Sequence, residues 1–168
     1  MKLKARYHLR SDFKEKVLDR LKSMFGPDVE QFFVEKKLEI AETDEYDFIL
    51  VDGDPMFFML GERLYPTLRG AMRFKLKKKR VIVDMGAVKF VSNGADIMCP
   101  GIINADTEIQ KGDTVIVSDE VHGKPIAIGI ALISGEEMMG SKGKAIKSVH
   151  YVGDKIWKFG ALETNLNT

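Results

Sequence analysis

Apolar positions along the chain fall into blocks whose period switches between helical and alternating, and the blocks predict the elements. Phe13, Val17, Leu21, Met24 and Phe25 recur every three to four residues between the caps Ser11 or Asp12 and the stop Gly26-Pro27. That spacing predicts an amphipathic helix with Lys14, Glu15, Asp19 and Lys22 on its solvated face. Val29, Phe32 and Phe33 predict a second, short helix. Residues 38–42 and 46–51 alternate or run apolar as strands do, and Asp52-Gly-Asp-Pro55 turns the chain into a hairpin partner at residues 56–60. Pro66 at a first helical position, followed by Leu68 and Met72, predicts a helix that closes this block.

A second block opens at Val81. Val81 to Val83 are β-branched and extended, Asp84 is a cap, and Ala87, Val88, Phe90 and Val91 return at helical spacing. Asn93-Gly94 stops that helix, and Ile97-Met98 followed by Pro100-Gly101 reads as a strand closed by a turn. Residues 113–119 and 125–134 read as strands joined through His122-Gly-Lys124, with Gly129 marking a bulge or a barrel bend. Ser134 and Glu137 have capping-box spacing, which predicts a short helix through Met138 and Met139. Residues 147–152 and 155–159 then read as a closing hairpin around Gly153-Asp154, with Trp157 packing inward and base stacking by Trp157 or Tyr151 as the alternative. Many short strands with few helices favour a small, nearly closed barrel. The fold class is therefore α+β: a small N-terminal α/β domain over residues 1–75, a β-barrel over 76–159, and a flexible tail at 160–168 that lacks a periodic apolar face.

Composition narrows the function classes. An apolar content of 45% supports a buried core, and 26 basic against 25 acidic residues give a net charge that does not by itself announce a nucleic-acid binder. One cysteine excludes an intramolecular disulfide and fits a reducing cytosol. No apolar run approaches the roughly 18 residues of a membrane span, and the N-terminus lacks a signal peptide's apolar centre, so a cytoplasmic protein without a membrane partner is expected. Cys99, between Met98 and Pro100, reads as a small buried residue rather than a nucleophile. His8, His122 and His150 have no metal-ligand spacing, Gly140-Ser-Lys-Gly-Lys144 has the wrong order for a phosphate loop, and Asp52, Asp54 and Asp96 are turn formers. The expectation is a protein that is not an enzyme, with no metal and no cofactor.

Two stretches point to RNA instead. The run from Arg73 to Arg80 places six cations, Arg73, Lys75, Lys77, Lys78, Lys79 and Arg80, within eight residues; it reads either as a solvated linker or as a set of phosphate contacts. In Ser92 to Gly101, small residues at a helix end and a strand edge either serve folding alone or let an RNA backbone or base approach.

The run from Val83 to Ile102 resembles the opening of a PUA domain, an RNA-binding module. Tyr65-Pro-Thr-Leu-Arg69 upstream, and Lys142 to Tyr151 with Ile156-Trp157 downstream, look like the family of the malignant T-cell-amplified sequence protein and ligatin. The resemblance implies a small pre-PUA domain followed by a PUA barrel. It also implies a role in translation initiation or recycling, with the small ribosomal subunit and a tRNA acceptor end as RNA contacts, beside a second translation-factor polypeptide. It places the RNA-facing edge on the helix and the strand after it, with Lys89, Asn93, Gly94, Ala95, Asp96, Met98, Pro100 and Gly101 as candidates. Lys147 and His150 on the neighbouring closing strand are secondary candidates. Two rival readings are an RNA-binding accessory subunit of an RNA-modification enzyme and a protein-interaction scaffold.

Overall fold

The computed structural model describes residues 1–140 and 142–159, which form two compact units: Met1–Leu76 joined by residues 155–159, and Lys77–Asp154. The first unit is an antiparallel meander of β1 (Leu3–His8), β2 (Leu38–Thr43), β3 (Asp47–Val51), β4 (Asp54–Leu60) and β5 (Arg63–Pro66). Helix α1 (Ser11–Phe25) follows β1 and α2 (Leu68–Arg73) follows β5. Helix α1 forms where the helical period lies and buries Val17, Leu21 and Phe25; Gly26, at φ 94°, stops it. The second, short helix forms at Pro27–Phe33 as a 3-10 helix that buries Val29 and Phe33. Asp52 and Gly53 take φ values of 50° and 88°, the pair of left-handed residues that a two-residue hairpin needs.

Aromatic packing fills the first unit. The rings of Phe33, Phe57 and Phe74 meet with centroids 5.7 to 5.8 Å apart. Helix α2 starts two residues later than Pro66 suggested. Pro66 ends β5, an edge strand where a missing N–H costs no ladder bond, and Thr67 is the cap. The Thr67 hydroxyl donates to Pro55 O at 2.9 Å and accepts from the Gly70 N–H at 3.0 Å. The helix lies so close to β4 that a Cβ on Gly70 would stand 2.1 Å from Met56 O.

The second unit contains β6 (Arg80–Val83), α3 (Met85–Val91), β7 (Ile97–Met98), β8 (Ile102–Ala105), β9 (Thr114–Asp119), β10 (Pro125–Ala131), α4 (Gly135–Met138) and β11 (Lys144–Tyr151). Its six strands run in the order β7-β11-β10-β9-β6-β8, with β6 parallel to β9, and this mixed sheet is nearly closed into a barrel. Val81, Val83, Ile97, Val115, Val117 and Ile146 form its core. The register of β10 against β11 shifts at Gly129, where a Cβ would stand 2.6 Å from Lys147 O, so the glycine does mark a bulge. Ser134 caps α4 by accepting from the Glu137 N–H.

Residues 155–159 depart from the expected hairpin: they are helical and belong to the first unit. Ile156 and Phe159 lie three apart and are both buried, which is one face of a helical turn rather than of a strand. Phe159 stacks on Phe48 with centroids 4.2 Å apart, and the Arg69 guanidinium lies 4.1 Å over the half-buried Trp157 ring. Trp157 therefore packs in a cation–π contact, not in a barrel strand. The tail expected to be flexible lies outside the described residues. Phe159→Ala should lower stability by about 3 kcal/mol through loss of a buried aromatic side chain, while the exposed Lys158→Ala should change it little. Equal urea midpoints for Phe159→Ala and the parent would remove the ring stack as a support of the first unit.

Candidate nucleic-acid interface

The site is built around α3. The Asp84 carboxylate accepts from the Ala87 N–H at 2.8 Å and fixes the first turn, while Asp84's own N–H donates to Gly101 O at 2.9 Å. A Cβ on Gly101 would stand 2.8 Å from the Ala87 Cβ, so glycine there lets the 3-10 turn at Cys99–Gly101 lie directly against the helix. Helix α3 buries Val91 and partly buries Ala87 and Val88, which leaves Met85, Lys89 and Phe90 outward. Phe90 is 61% exposed. Met98 is also exposed and lines the same groove, so the two form an exposed apolar patch rather than an isolated ring.

Asp96 closes the other side. Its carboxylate accepts the Ser148 N–H at 2.9 Å and pairs with Lys144 Nζ at 3.0 Å, tying the turn after α3 to β11. The Ser148 N–H is the largest influence holding the Asp96 carboxyl below its ordinary range; burial opposes it, and Lys144 and then Lys147 add to the lowering. Between these walls runs an open groove of about 680 Å³. Phe90, Met98 and Pro100 supply its apolar surface, and Asp84, Asp96 and Lys144 its charges.

A PUA-domain model matches residues 79–152, and a model described as a domain of unknown function, DUF1947, matches residues 5–73. Over 161 residues the chain is 45% identical to an uncharacterized protein of Methanocaldococcus jannaschii, a match covering 95% of this chain and 99% of that one. Translation machinery-associated protein 20 of Saccharomyces cerevisiae is 32% identical over 168 residues, with 90% of this chain and 93% of the relative covered. The chain belongs to the family of translation machinery-associated protein 20 and the malignant T-cell-amplified sequence proteins. A crystal structure of a hypothetical protein from Pyrococcus horikoshii superposes with a TM-score of 0.86 at 36% identity, covering 93% of this chain and 99% of that one.

In this PUA-domain family member, the residues singled out in the sequence divide into three groups. Ala95, Asp96, Met98, Pro100 and Gly101 line the groove. Lys89, Asn93 and Gly94 stand at the end of α3, outside that lining; Asn93 Nδ2 donates to Lys89 O at 2.9 Å, and Lys89 Nζ lies 6.0 Å from the Phe90 ring. Lys147 is exposed on β11, whereas His150 is fully buried, with Nδ1 2.8 Å from the Asp154 carboxylate. His150 thus has no surface with which to meet RNA. Period-two spacing from Ser148 turned it inward, and its polar ring satisfied itself on Asp154.

Gly94 also has a different role from the expected one. It takes the expected left-handed φ of 92°, but a Cβ there would stand 2.7 Å from the Tyr151 ring, so the space is filled by protein rather than kept open. Of the cations from Arg73 to Arg80, Arg73 pairs with Asp54 at 2.7 Å and Lys79 with Asp113 at 2.8 Å. Arg80 donates to Ser118 Oγ and Gly123 O. Lys75, Lys77 and Lys78 are exposed and have no ion pair among the described residues. Phe90 and Lys144 were missed. The helical period groups Phe90 with Val91, although Ala87, Val88 and Val91 already complete the inward face, and Lys144 was absorbed into a basic turn.

A depressed carboxylate stabilises the fold above its unfolded pKa, about 3.9 for aspartate, and that stabilisation is lost as pH falls through the lower folded value. Asp96→Asn should therefore be less stable than the parent at neutral pH, and the gap should narrow below about pH 3.9. Thermal midpoints across that range test this; a gap independent of pH would mean that the carboxylate's charge plays no part.

Proposed function

We propose that the chain is a non-catalytic RNA-binding protein of the translation machinery, and that the groove beside α3 seats an unpaired RNA end. Phe90 carries this reading. A base stacked on an aromatic face gains about 1–3 kcal/mol whatever its identity, and a 61% exposed ring at the wall of an open groove is placed to offer such a face. Lys89 and Lys147 are exposed and can neutralise phosphates, whereas Lys144 is engaged by Asp96. A PUA-domain match over this unit and translation-associated relatives support the same reading.

In its finer form the bound RNA is a tRNA acceptor end. The first unit faces the small ribosomal subunit in the cytoplasm, beside a second translation factor, during initiation or recycling. The three exposed lysines, Lys75, Lys77 and Lys78, add phosphate contacts without base readout. Crosslinking followed by sequencing of the bound RNA separates tRNA ends, ribosomal RNA and no RNA. In direct titration, Phe90→Ala should weaken binding of a single-stranded RNA ending in unpaired bases about tenfold. Lys89→Ala with Lys147→Ala should reduce the salt slope by about 1.4. Parent-like affinity in Phe90→Ala would remove the groove from the binding surface.

A further inference from the structure

We propose that a second groove, at the start of α1, is a docking site for a lysine or arginine side chain presented by a protein partner. The register of β2 against β3 sets Glu42 directly opposite Asp47, an arrangement of like charges that destabilises a sheet unless a cation answers it. Among the described residues no lysine or arginine pairs with either carboxylate. Glu42 accepts the Tyr7 hydroxyl, and Arg10, the cation at the groove's edge, faces Asp12 at 3.6 Å instead. Asp47 is exposed at the start of β3, and local desolvation, followed by Glu42, raises its carboxyl above the ordinary range.

Asp47, one of the pair, borders a groove of matching shape. A groove of about 380 Å³ runs over Phe13, Ile40 and Met59 and is bounded by Tyr7, Arg10, Asp12 and Asp47. An aliphatic stem fits the apolar floor while its charged head reaches Asp47 at the mouth, with Glu42 opposite it on β2, which is how lysine and arginine divide themselves between apolar and charged surroundings. Among the described residues no group of three or more His, Cys, Asp or Glu side chains could hold a metal ion, and the floor offers a metal nothing. Paired carboxylates repel phosphate. The occupant is therefore a cationic protein segment, and this inference does not rest on the RNA-binding reading of the other groove.

The test is an amide-resolved NMR titration of the full chain with the peptide acetyl-Leu-Arg-Leu-Arg-Leu-amide, and with its glutamate counterpart. The arginine peptide should shift amides at Phe13, Ile40, Asp47 and Met59, and the glutamate peptide should not. Asp47→Asn combined with Glu42→Gln should weaken the arginine peptide about fivefold or more. Because the substitutions also remove the repulsion, the thermal midpoint should hold or rise, and RNA affinity should not change. Asp47→Asn alone carries the same expectation should the double variant fold poorly. Equal peptide affinity in the variants, shifts confined to other surfaces, or perturbation of the same amides by the glutamate peptide or an RNA oligonucleotide would each overturn the proposal.

Discussion

Asp96 is the contact on which the grooved side of the second unit depends. Its position after the α3 turn is fixed by two donors on β11, the Ser148 N–H and the Lys144 ammonium, and β7 is only two residues long. So short a strand supplies few ladder bonds of its own, and the carboxylate provides the missing tie. Without that tie the groove would lose one wall, because Met98 reaches it from β7 and Phe90 from the helix immediately before the turn. Gly101 and Asp84 hold the opposite end by close backbone approach. Polar anchoring at both ends leaves the middle apolar, the arrangement that allows an exposed ring to persist without collapsing onto its neighbours.

The two units solve the packing problem differently. The first relies on large rings: Phe33, Phe57 and Phe74 meet one another, and Phe159 returns from the far end of the chain to stack on Phe48. Large rings bury much area per residue and tolerate the irregular space between a meander and short helices. The second unit uses β-branched and small side chains, Val81, Val83, Val115, Val117 and Ala127, as the tight curvature of a small barrel requires. Glycines at 129 and 135 complete it: a Cβ at Gly135 would stand 2.0 Å from Asp106 O.

Much of this was legible in the sequence, and the exceptions have physical causes. Helix α1, the β3–β4 hairpin, α3 with its Asp84 cap and the bulge at Gly129 all follow from period, caps and turn chemistry, which act over a few residues. Strand β1 escaped because its apolar positions Leu3 and Tyr7 stay more than 40% exposed at the sheet edge, although Leu3, Ala5 and Tyr7 do alternate with Lys4, Arg6 and His8. Residues 155–159 escaped because five residues with two buried apolar positions fit either period, and their partner Phe48 lies over a hundred residues away. In the candidate site the groove-lining stretch was visible in the small residues from Ala95 to Gly101. The roles of His150 and Gly94 were not, since burial on Asp154 and contact with Tyr151 are decided by β11, outside the local motif.

Two carboxylates show how the same side chain can support either stability or recognition. Asp96 meets an N–H and an ammonium, so ionisation is favoured and the charge is absorbed within the fold. Asp47, exposed at the start of β3, meets local desolvation and Glu42 across the strand pair, so ionisation is opposed. Substituting the first removes a tie, whereas substituting the second relieves a conflict. The conflict lies beside an apolar groove large enough for a side chain, where a cation from outside the chain would relieve it. The unit that holds Asp47 has its own core and its own sheet, so a partner engaged there would act without drawing on the groove beside α3.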